Sequence, residues 1–369
     1  MQKKVILHFT GMKSTKYGAL EQYFVELTGF CRKKGYQSIF QYEQFPQSSA
    51  YLSDLNNCGA QIKVANTLDT NPIDAAKKII KLIFELRPEI VHGHFRSRYT
   101  LFFIPIIARL AGVRKIIATV RTNPNFGTKS IRRFAFNAYH QIIGVSRAVS
   151  ETLVGAGVNP KIVATHYQGL FGHRKKSQKL RRQFRDEFGI TNQAVVIACI
   201  AFDTPFKGLD LLLKALSRVI PDHPQLQTII IGVDPGKSAL PEHAAKMGIN
   251  KNVHWAGIRD HGWRLLNAAD LYVQPSRFGE GLSLAIMEAL ALKIPVIATR
   301  VAGQSEAVIN GVNGYLVEPD NIASLDGAIK RLLANPSKWE TMGMSGYQRY
   351  RRNFLGEDSI KKLFEKYYQ

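Results

Sequence analysis

Apolar and polar positions along this chain fall into two alternating patterns. Short runs rich in Val, Ile and Leu occur at 5–9, 38–42, 90–94, 115–120, 142–145 and 162–165, and again at 195–200, 228–231, 253–255, 271–274, 296–299 and 315–317. Between them lie stretches whose apolar residues recur at helical spacing, near 18–34, 73–85, 98–112 and 147–156 in the first half. This alternation predicts parallel sheets covered by helices on both faces. A length of 369 residues exceeds one ordinary hydrophobic core, so two similar α/β halves are expected.

The stretch 174–188 separates the last strand of the first half from the first of the second. It is basic and lacks an apolar stripe, which predicts a connector and not a core helix. Near the end of the chain, Phe354, Ile360, Leu363, Phe364 and Tyr367 recur at helical spacing.

Charge adds a division that hydropathy does not show. Residues 1–185 hold 30 Lys and Arg against 9 Asp and Glu, a balance of +21, whereas residues 186–369 hold 20 against 19, a balance of +1. The first half is therefore expected to meet something acidic. An anionic membrane surface is the leading partner, ahead of nucleic acid, with a merely solvated basic face as the alternative. Basic clusters stand at Arg132-Arg133-Phe134-Ala135-Phe136, Arg174-Lys175-Lys176 and Arg181-Arg182, and no zinc-finger, RRM or basic-zipper pattern accompanies them. The N-terminus reads as a strand and not a signal peptide, and no apolar run is long enough to span a bilayer; the best, 101–108, contains Pro105 and is followed by Arg109. Cys31, Cys58 and Cys199 have no metal spacing and read as free thiols. His92-Gly93-His94 places two rings on one strand face without a third ligand nearby in sequence, and no Asp-x-Asp occurs. No metal and no cofactor are expected.

The most informative segment runs from Pro275 to Leu290. A buried strand at 271–274 and a helix at 283–292 leave Glu280 and Gly281 in the turn between them. Backbone N–H groups of Gly281, Leu282 and Ser283 would face a phosphate at the helix start. Glu280 would accept hydrogen bonds from sugar hydroxyls, and Glu288 would reach a vicinal diol such as ribose.

This Glu-x7-Glu arrangement, with 291–298 and Gly303-Gln304-Ser305-Glu306 after it, resembles retaining glycosyltransferase family 4. The resemblance implies the GT-B fold, with two Rossmann-like parallel-sheet domains facing a cleft and a C-terminal helix crossing back to the first. It implies an acceptor-binding domain over 1–170, a linker over 171–190, a nucleotide-sugar-binding domain over 191–350 and a crossing helix over 351–369. The loop Thr10 to Glu21, with Gly11 and Lys13, resembles the family's phosphate- and acceptor-reaching loop, although Tyr17-Gly18 replaces its double glycine and no Gly-x-Gly-x-x-Gly is present. Lys207-Gly208 resembles half of the family's phosphate clamp. Ala201 or Phe202 stands where its arginine belongs, with Arg277 and Arg300 as candidate substitutes. Arg121 replaces a frequent histidine, which leaves His94 available, either catalytic or as a hydrogen-bonded core residue. Arg259 follows a strand where relatives seat the nucleobase.

The implied catalytic set is Glu280, Lys207 and His94. The implied donor set is Gly11, Lys207, Arg259, Glu280, Gly281, Leu282, Ser283 and Glu288, and Lys13, Arg121 and Arg277 are assigned to the acceptor or phosphate region. The implied reaction is metal-independent transfer of a hexosyl or N-acetylhexosaminyl group with retained configuration. A UDP-sugar is favoured as donor, with GDP next. The acceptor would be lipid-linked or a surface polysaccharide, of lipopolysaccharide, capsule, exopolysaccharide or teichoic type, and the enzyme cytoplasmic and held peripherally on the inner face of the cell membrane. Competing readings are a nucleic-acid or anionic-surface binding protein on the same scaffold, and an epimerase or phosphorylase of the same fold.

Overall fold

The computed structural model describes residues 4–95, 100–122, 135–172 and 174–369. It divides into two compact units, Met1–Phe171 with Gly356–Gln369, and Gly172–Leu355. The first unit contains β1 (Lys4–Phe9), α1 (Ala19–Lys33), β2 (Tyr36–Tyr42), α2 (Ser49–Asn57), β3 (Gln61–Val64), α3 (Pro72–Leu86), β4 (Ile90–Phe95), α4 (Thr100–Leu110), β5 (Lys115–Val120), β6 (Gln141–Gly144), α5 (Arg147–Gly155) and β7 (Val163–Thr165). The second contains α6 (Gln178–Glu187), β8 (Val195–Ile200), α7 (Leu209–Val219), β9 (Leu226–Ile231), α8 (Leu240–Lys246), β10 (Val253–Trp255), β11 (Leu271–Gln274), α9 (Leu284–Ala291), β12 (Val296–Thr299), α10 (Gln304–Ala307), β13 (Gly314–Val317), α11 (Ile322–Leu333) and α12 (Trp339–Asn353). The chain closes with α13 (Gly356–Leu363) and a π-helical turn, Phe364–Tyr368.

The first sheet has seven strands in the order β3-β2-β1-β4-β5-β6-β7, and the second has six in the order β10-β9-β8-β11-β12-β13. All strand pairs named in both sheets are parallel. The order reverses between β1 and β4 in one sheet and between β8 and β11 in the other. Ligands of such sheets bind beyond the carboxyl ends of the strands at that reversal. The loops after β8 and β11 are those that carry Lys207 and Glu280, so topology alone makes them neighbours.

Every strand expected from the apolar runs is present, and in the first unit β3 and α2 are additional. β3 alternates polar and apolar over only four residues at a sheet edge, and α2 buries just Tyr51 and Leu55. Neither carries enough periodicity to stand out. Part of the basic cluster, Arg132-Arg133-Phe134, and the start of the helix expected from Arg98 lie outside the described residues.

The expected connector is corrected outright. Residues 178–187 form α6, which packs on the second unit through Arg185, a fully buried side chain. Its guanidinium donates to the carbonyls of Ala268, Thr191, Asn192 and Ala194 and pairs with Asp270 at 2.8 Å, while Arg181 binds the other Asp270 oxygen at 2.7 Å. An arginine that satisfies this many carbonyls anchors a helix as an apolar stripe would. The end of the chain belongs to the first unit. Ile360, Leu363, Phe364, Tyr367 and Tyr368 join the core formed by Phe24, Phe40 and Tyr42, and the Gly356 N–H donates to the Leu170 carbonyl at 2.8 Å.

Candidate active site

In the second unit a single polar chain runs from the sheet to the Glu280 turn. Tyr272 and Gln274 are alternate residues of β11, so their side chains leave the same face. The Tyr272 hydroxyl donates to Gln274 Oε1 at 2.6 Å, Gln274 Nε2 donates to Ser276 Oγ at 3.1 Å, and Ser276 Oγ donates to Glu280 Oε1 at 2.6 Å. Lys207 Nζ reaches the same Oε1 at 2.6 Å. Glu280 is thus bound through one oxygen, and no described residue hydrogen-bonds the other. A carboxylate held in this way is oriented and still has acceptor capacity for hydroxyl groups.

The Lys207 loop is fitted to the Glu280 loop by backbone geometry. Gly208 has φ 67°, and a Cβ there would lie 2.1 Å from the Pro275 carbonyl oxygen, so glycine is required at this position. Two further bonds join the loops, Arg277 N–H to the Phe206 carbonyl and Arg277 Nη1 to the Pro205 carbonyl, both 2.8 Å.

Arg277 is the clearest correction to the expected site. Its guanidinium forms a two-point pair with Asp210, both contacts 2.7 Å, and its Nε binds Asp320 at 2.6 Å. That pairing holds the Asp210 carboxyl below its usual range. With these donors committed, Arg277 braces the two loops and does not stand in for the missing clamp arginine. Arg300 is likewise paired, with Glu318 at 3.1 Å.

Ser283 is the N-cap of α9, its Oγ accepting from the Ile286 N–H at 3.4 Å. Gly281 and Leu282 therefore precede the helix, and Glu288 lies within it. Glu288 is buried and faces Arg174 at 3.5 Å; the Arg174 guanidinium lies 4.6 Å from the centre of the Trp263 ring. Arg174 stood in a segment read as a connector, so its approach to Glu288 was hidden by sequence distance. Arg259 donates to the Ala256 carbonyl and pairs with Glu187 of α6. It borders a cavity of about 210 Å³ shared with Gln183, Phe184, Asp260, His261, Arg264 and Leu265.

In the first unit, Gly11 has φ 56° and begins the loop between β1 and α1. Lys13 on that loop pairs with Asp69 at 2.6 Å. Glu21, to which the sequence reading gave no role, is buried at the first turn of α1, bonded by Ser14 Oγ and the Gly18 N–H, both 3.0 Å. Burial raises its carboxyl above the usual range against those bonds.

His94 is buried within a cluster of three histidines, because His8 of β1 supplies the ring that local sequence lacked. His94 Nε2 lies 3.1 Å from His8 Nδ1, and Arg121 Nη2 lies 3.1 Å from His94 Nδ1. Since guanidinium only donates, His94 Nδ1 is the acceptor and its Nε2–H points to His8. His92 bonds Thr119 at 2.8 Å and the Tyr368 hydroxyl at 2.5 Å. Burial drives His8 down to about 3, and burial with neighbouring charge drives His92 and His94 well below the ordinary value, so all three are neutral near pH 7. The nitrogens of the three rings lie close enough together for one metal ion. The nitrogens of His92 and His94 are engaged with Thr119, Tyr368, His8 and the cationic Arg121, whereas His8 Nε2 is buried without a hydrogen-bond partner. Arg121 itself also lies 5.1 Å from the Tyr23 ring centre. Of the expected catalytic set, Lys207 and Glu280 touch in the second unit and His94 is packed in the first.

Comparison with known proteins is consistent with this geometry. Residues 157–349, over half of the chain, match the family model "Glycosyl transferases group 1", and residues 20–170 match "Glycosyltransferase Family 4". The GDP-mannose-dependent alpha-(1-6)-phosphatidylinositol monomannoside mannosyltransferase of Mycolicibacterium smegmatis is 27% identical over 287 residues, covering 73% of this chain and 74% of that protein. A D-inositol 3-phosphate glycosyltransferase of Corynebacterium efficiens is 31% identical over 204 residues, covering 53% and 47%. Among solved structures, Anabaena HepE in complex with UDP-glucose superposes with a TM-score of 0.81 at 20% identity over 98% of each chain. The lipopolysaccharide outer core galactosyltransferase WaaB gives 0.69 at 15% identity, over 98% of this chain and 99% of that one. The fold is that of these GT-B glycosyltransferases, and the chain belongs to the glycosyl transferases group 1 family.

Proposed function

We propose that this glycosyltransferase moves a sugar from a nucleoside-diphosphate donor to a lipid-linked or surface-polysaccharide acceptor, with retained configuration and without a metal. The observation that supports this most is the Glu280 carboxylate, fixed through Oε1 by Ser276 and Lys207 at 2.6 Å each. Its second oxygen is the acceptor for donor-sugar hydroxyls. The anomeric C–O bond breaks with its electron pair passing to the diphosphate, and the acceptor oxygen bonds to the same face of the sugar. The acceptor proton passes to a phosphate oxygen. Lys207 and the N–H groups from Gly281 to Ser283 carry the negative charge that grows on the leaving group, the largest barrier-lowering contribution in such chemistry. Glu288 binds the ribose diol.

For the donor base, UDP is our first expectation, and the named dependence of the Mycolicibacterium relative on GDP-mannose makes GDP the direct competitor. That relative's phosphatidylinositol mannoside also favours a lipid acceptor, reached from the cytoplasmic face by a peripherally bound enzyme. Thermal-shift titration with UDP, GDP, ADP and CMP tests the site, because a ligand that binds only the native state stabilises it as occupancy rises. One nucleotide should shift the wild type and neither Lys207→Ala nor Glu288→Ala. Loss of transfer on adding EDTA would refute metal independence. Steeply salt-dependent DNA or RNA binding with no nucleotide shift would favour the binding-protein alternative.

A further inference from the structure

Glu288 is buried, and a buried carboxylate needs both a counter-charge and a fixed direction if it is to receive a ligand. Arg174 supplies a counter-charge. It is buried although Lys175, beside it, is exposed, and its Nη2 lies 3.5 Å from Glu288 Oε1. That separation is longer than the roughly 2.7–2.9 Å of a closed charge-assisted hydrogen bond, so the arginine sets the field at Oε1 without closing on it. Two contacts fix the arginine in turn. Its guanidinium lies over the Trp263 ring, 4.6 Å from the centre, which restrains where its donors point. Three residues later the Ser177 N–H donates to Asn267 Oδ1 at 2.8 Å. Trp263 and Asn267 belong to one helical turn, Gly262–Ala268. The backbone near Arg174 and the ring beneath its head are therefore anchored to the same element, and the entropy cost of ordering a long side chain is met before any ligand arrives.

We infer that Arg174, seated on Trp263, is the positioning residue for Glu288 and thereby determines selection of ribonucleotide over deoxyribonucleotide donors. The inference rests on the assignment of Glu288 to the ribose diol and goes beyond it by naming what makes that carboxylate selective. A carboxylate that receives both hydroxyls of a vicinal diol must present one oxygen to each. The attraction of Oε1 towards Arg174 selects the side-chain direction that does so. Without it the bonds from the hydroxyls weaken, and a nucleotide that lacks the 2′-hydroxyl loses little by comparison. Arg174 acts through Glu288 in this scheme and needs no contact with the donor.

Binding to the full chain is measured by isothermal titration calorimetry with two probe pairs, UDP with 2′-deoxy-UDP and GDP with 2′-deoxy-GDP. For the pair that binds, the wild type should prefer the ribonucleotide by about tenfold, because its extra hydroxyl bonds a charged acceptor. Arg174→Gln should bring the two within about threefold of each other by weakening the ribonucleotide alone. Arg174→Lys keeps the charge but not the planar group over Trp263, so its preference should fall between. It carries the test should the glutamine variant fail to fold. Glu288→Gln should abolish the preference, and Arg174→Gln/Glu288→Gln should add nothing further, as expected of residues that act together. Either folded Arg174 variant that retains the wild-type preference overturns the inference. So does a loss shared equally by both nucleotides, which a merely structural arginine would produce. A wild type without preference, or a Glu288→Gln protein that keeps it, removes the ribose assignment and the inference together. Preference abolished by Glu288→Gln but kept by the Arg174 variants leaves the ribose assignment standing and excludes Arg174.

Discussion

Gly208 shows how much of this site depends on single positions. Its left-handed backbone and its approach to the Pro275 carbonyl leave no room for a side chain. Gly208→Ala should cost about 1–3 kcal/mol, measured as a lower urea midpoint, and should depress transfer by moving Lys207. Ser276→Ala removes the hydroxyl between Gln274 and Glu280. We expect kcat to fall about tenfold, the equivalent of roughly 1.4 kcal/mol, with a smaller change in KM. Equal losses in both, or none, would show that the hydroxyl does not orient Glu280. The contact of Lys207 with Glu280 joins two motifs that the sequence displays, Lys207-Gly208 and the spaced pair Glu280 and Glu288. Ser276 and Gln274 were not legible there, because their value lies in which neighbour each hydrogen-bonds. Arg277 was misread for a related reason: proximity in sequence made it available, and Asp210 and Asp320, distant in sequence, engage it.

Among the elements, strands were the most legible, since a parallel sheet buried on both faces writes itself as uninterrupted apolar runs. Four strands of the second unit, at 195–200, 253–255, 271–274 and 296–299, coincide with those runs residue for residue. Helix α6 was the least legible. Hydropathy scores arginine as a surface residue, yet Arg185 is the anchor of that helix, and burial presses on its charge while Asp270 supports it. Arg185→Ala would leave Asp270 with Arg181 and the Val196 N–H but would take the charged donor from the carbonyls of Asn192 and Ala194. Losing hydrogen bonds from a charged donor typically costs about 1.5–3 kcal/mol, and equilibrium denaturation should show that loss. A change under about 1 kcal/mol would mean that α6 is held by other contacts.

For the whole molecule, the three buried histidines make stability depend on pH. Their folded pKa values lie below the unfolded value of about 6.5, so below that pH the unfolded chain binds more protons and gains on the native state. Their contribution is complete above pH 6.5 and is lost as pH falls towards the lowered folded values. The slope reaches about 4 kcal/mol per pH unit if all three rings contribute. Urea midpoints from pH 7.5 to 5 should fall accordingly, and His8→Phe should flatten the dependence. A flat profile in the wild type would mean that these rings accept protons without unfolding.

His92 also holds Tyr368, one residue from the end of the chain, and Ile360, Leu363, Phe364 and Tyr367 pack into the same core. During synthesis the ribosome must therefore release all of residues 172–355 before the first unit receives its last pieces. The second unit can mature while the first waits with part of its interior uncovered. A chain that terminates early would carry a finished second unit beside an open, aggregation-prone first one, a difference that quality control can detect.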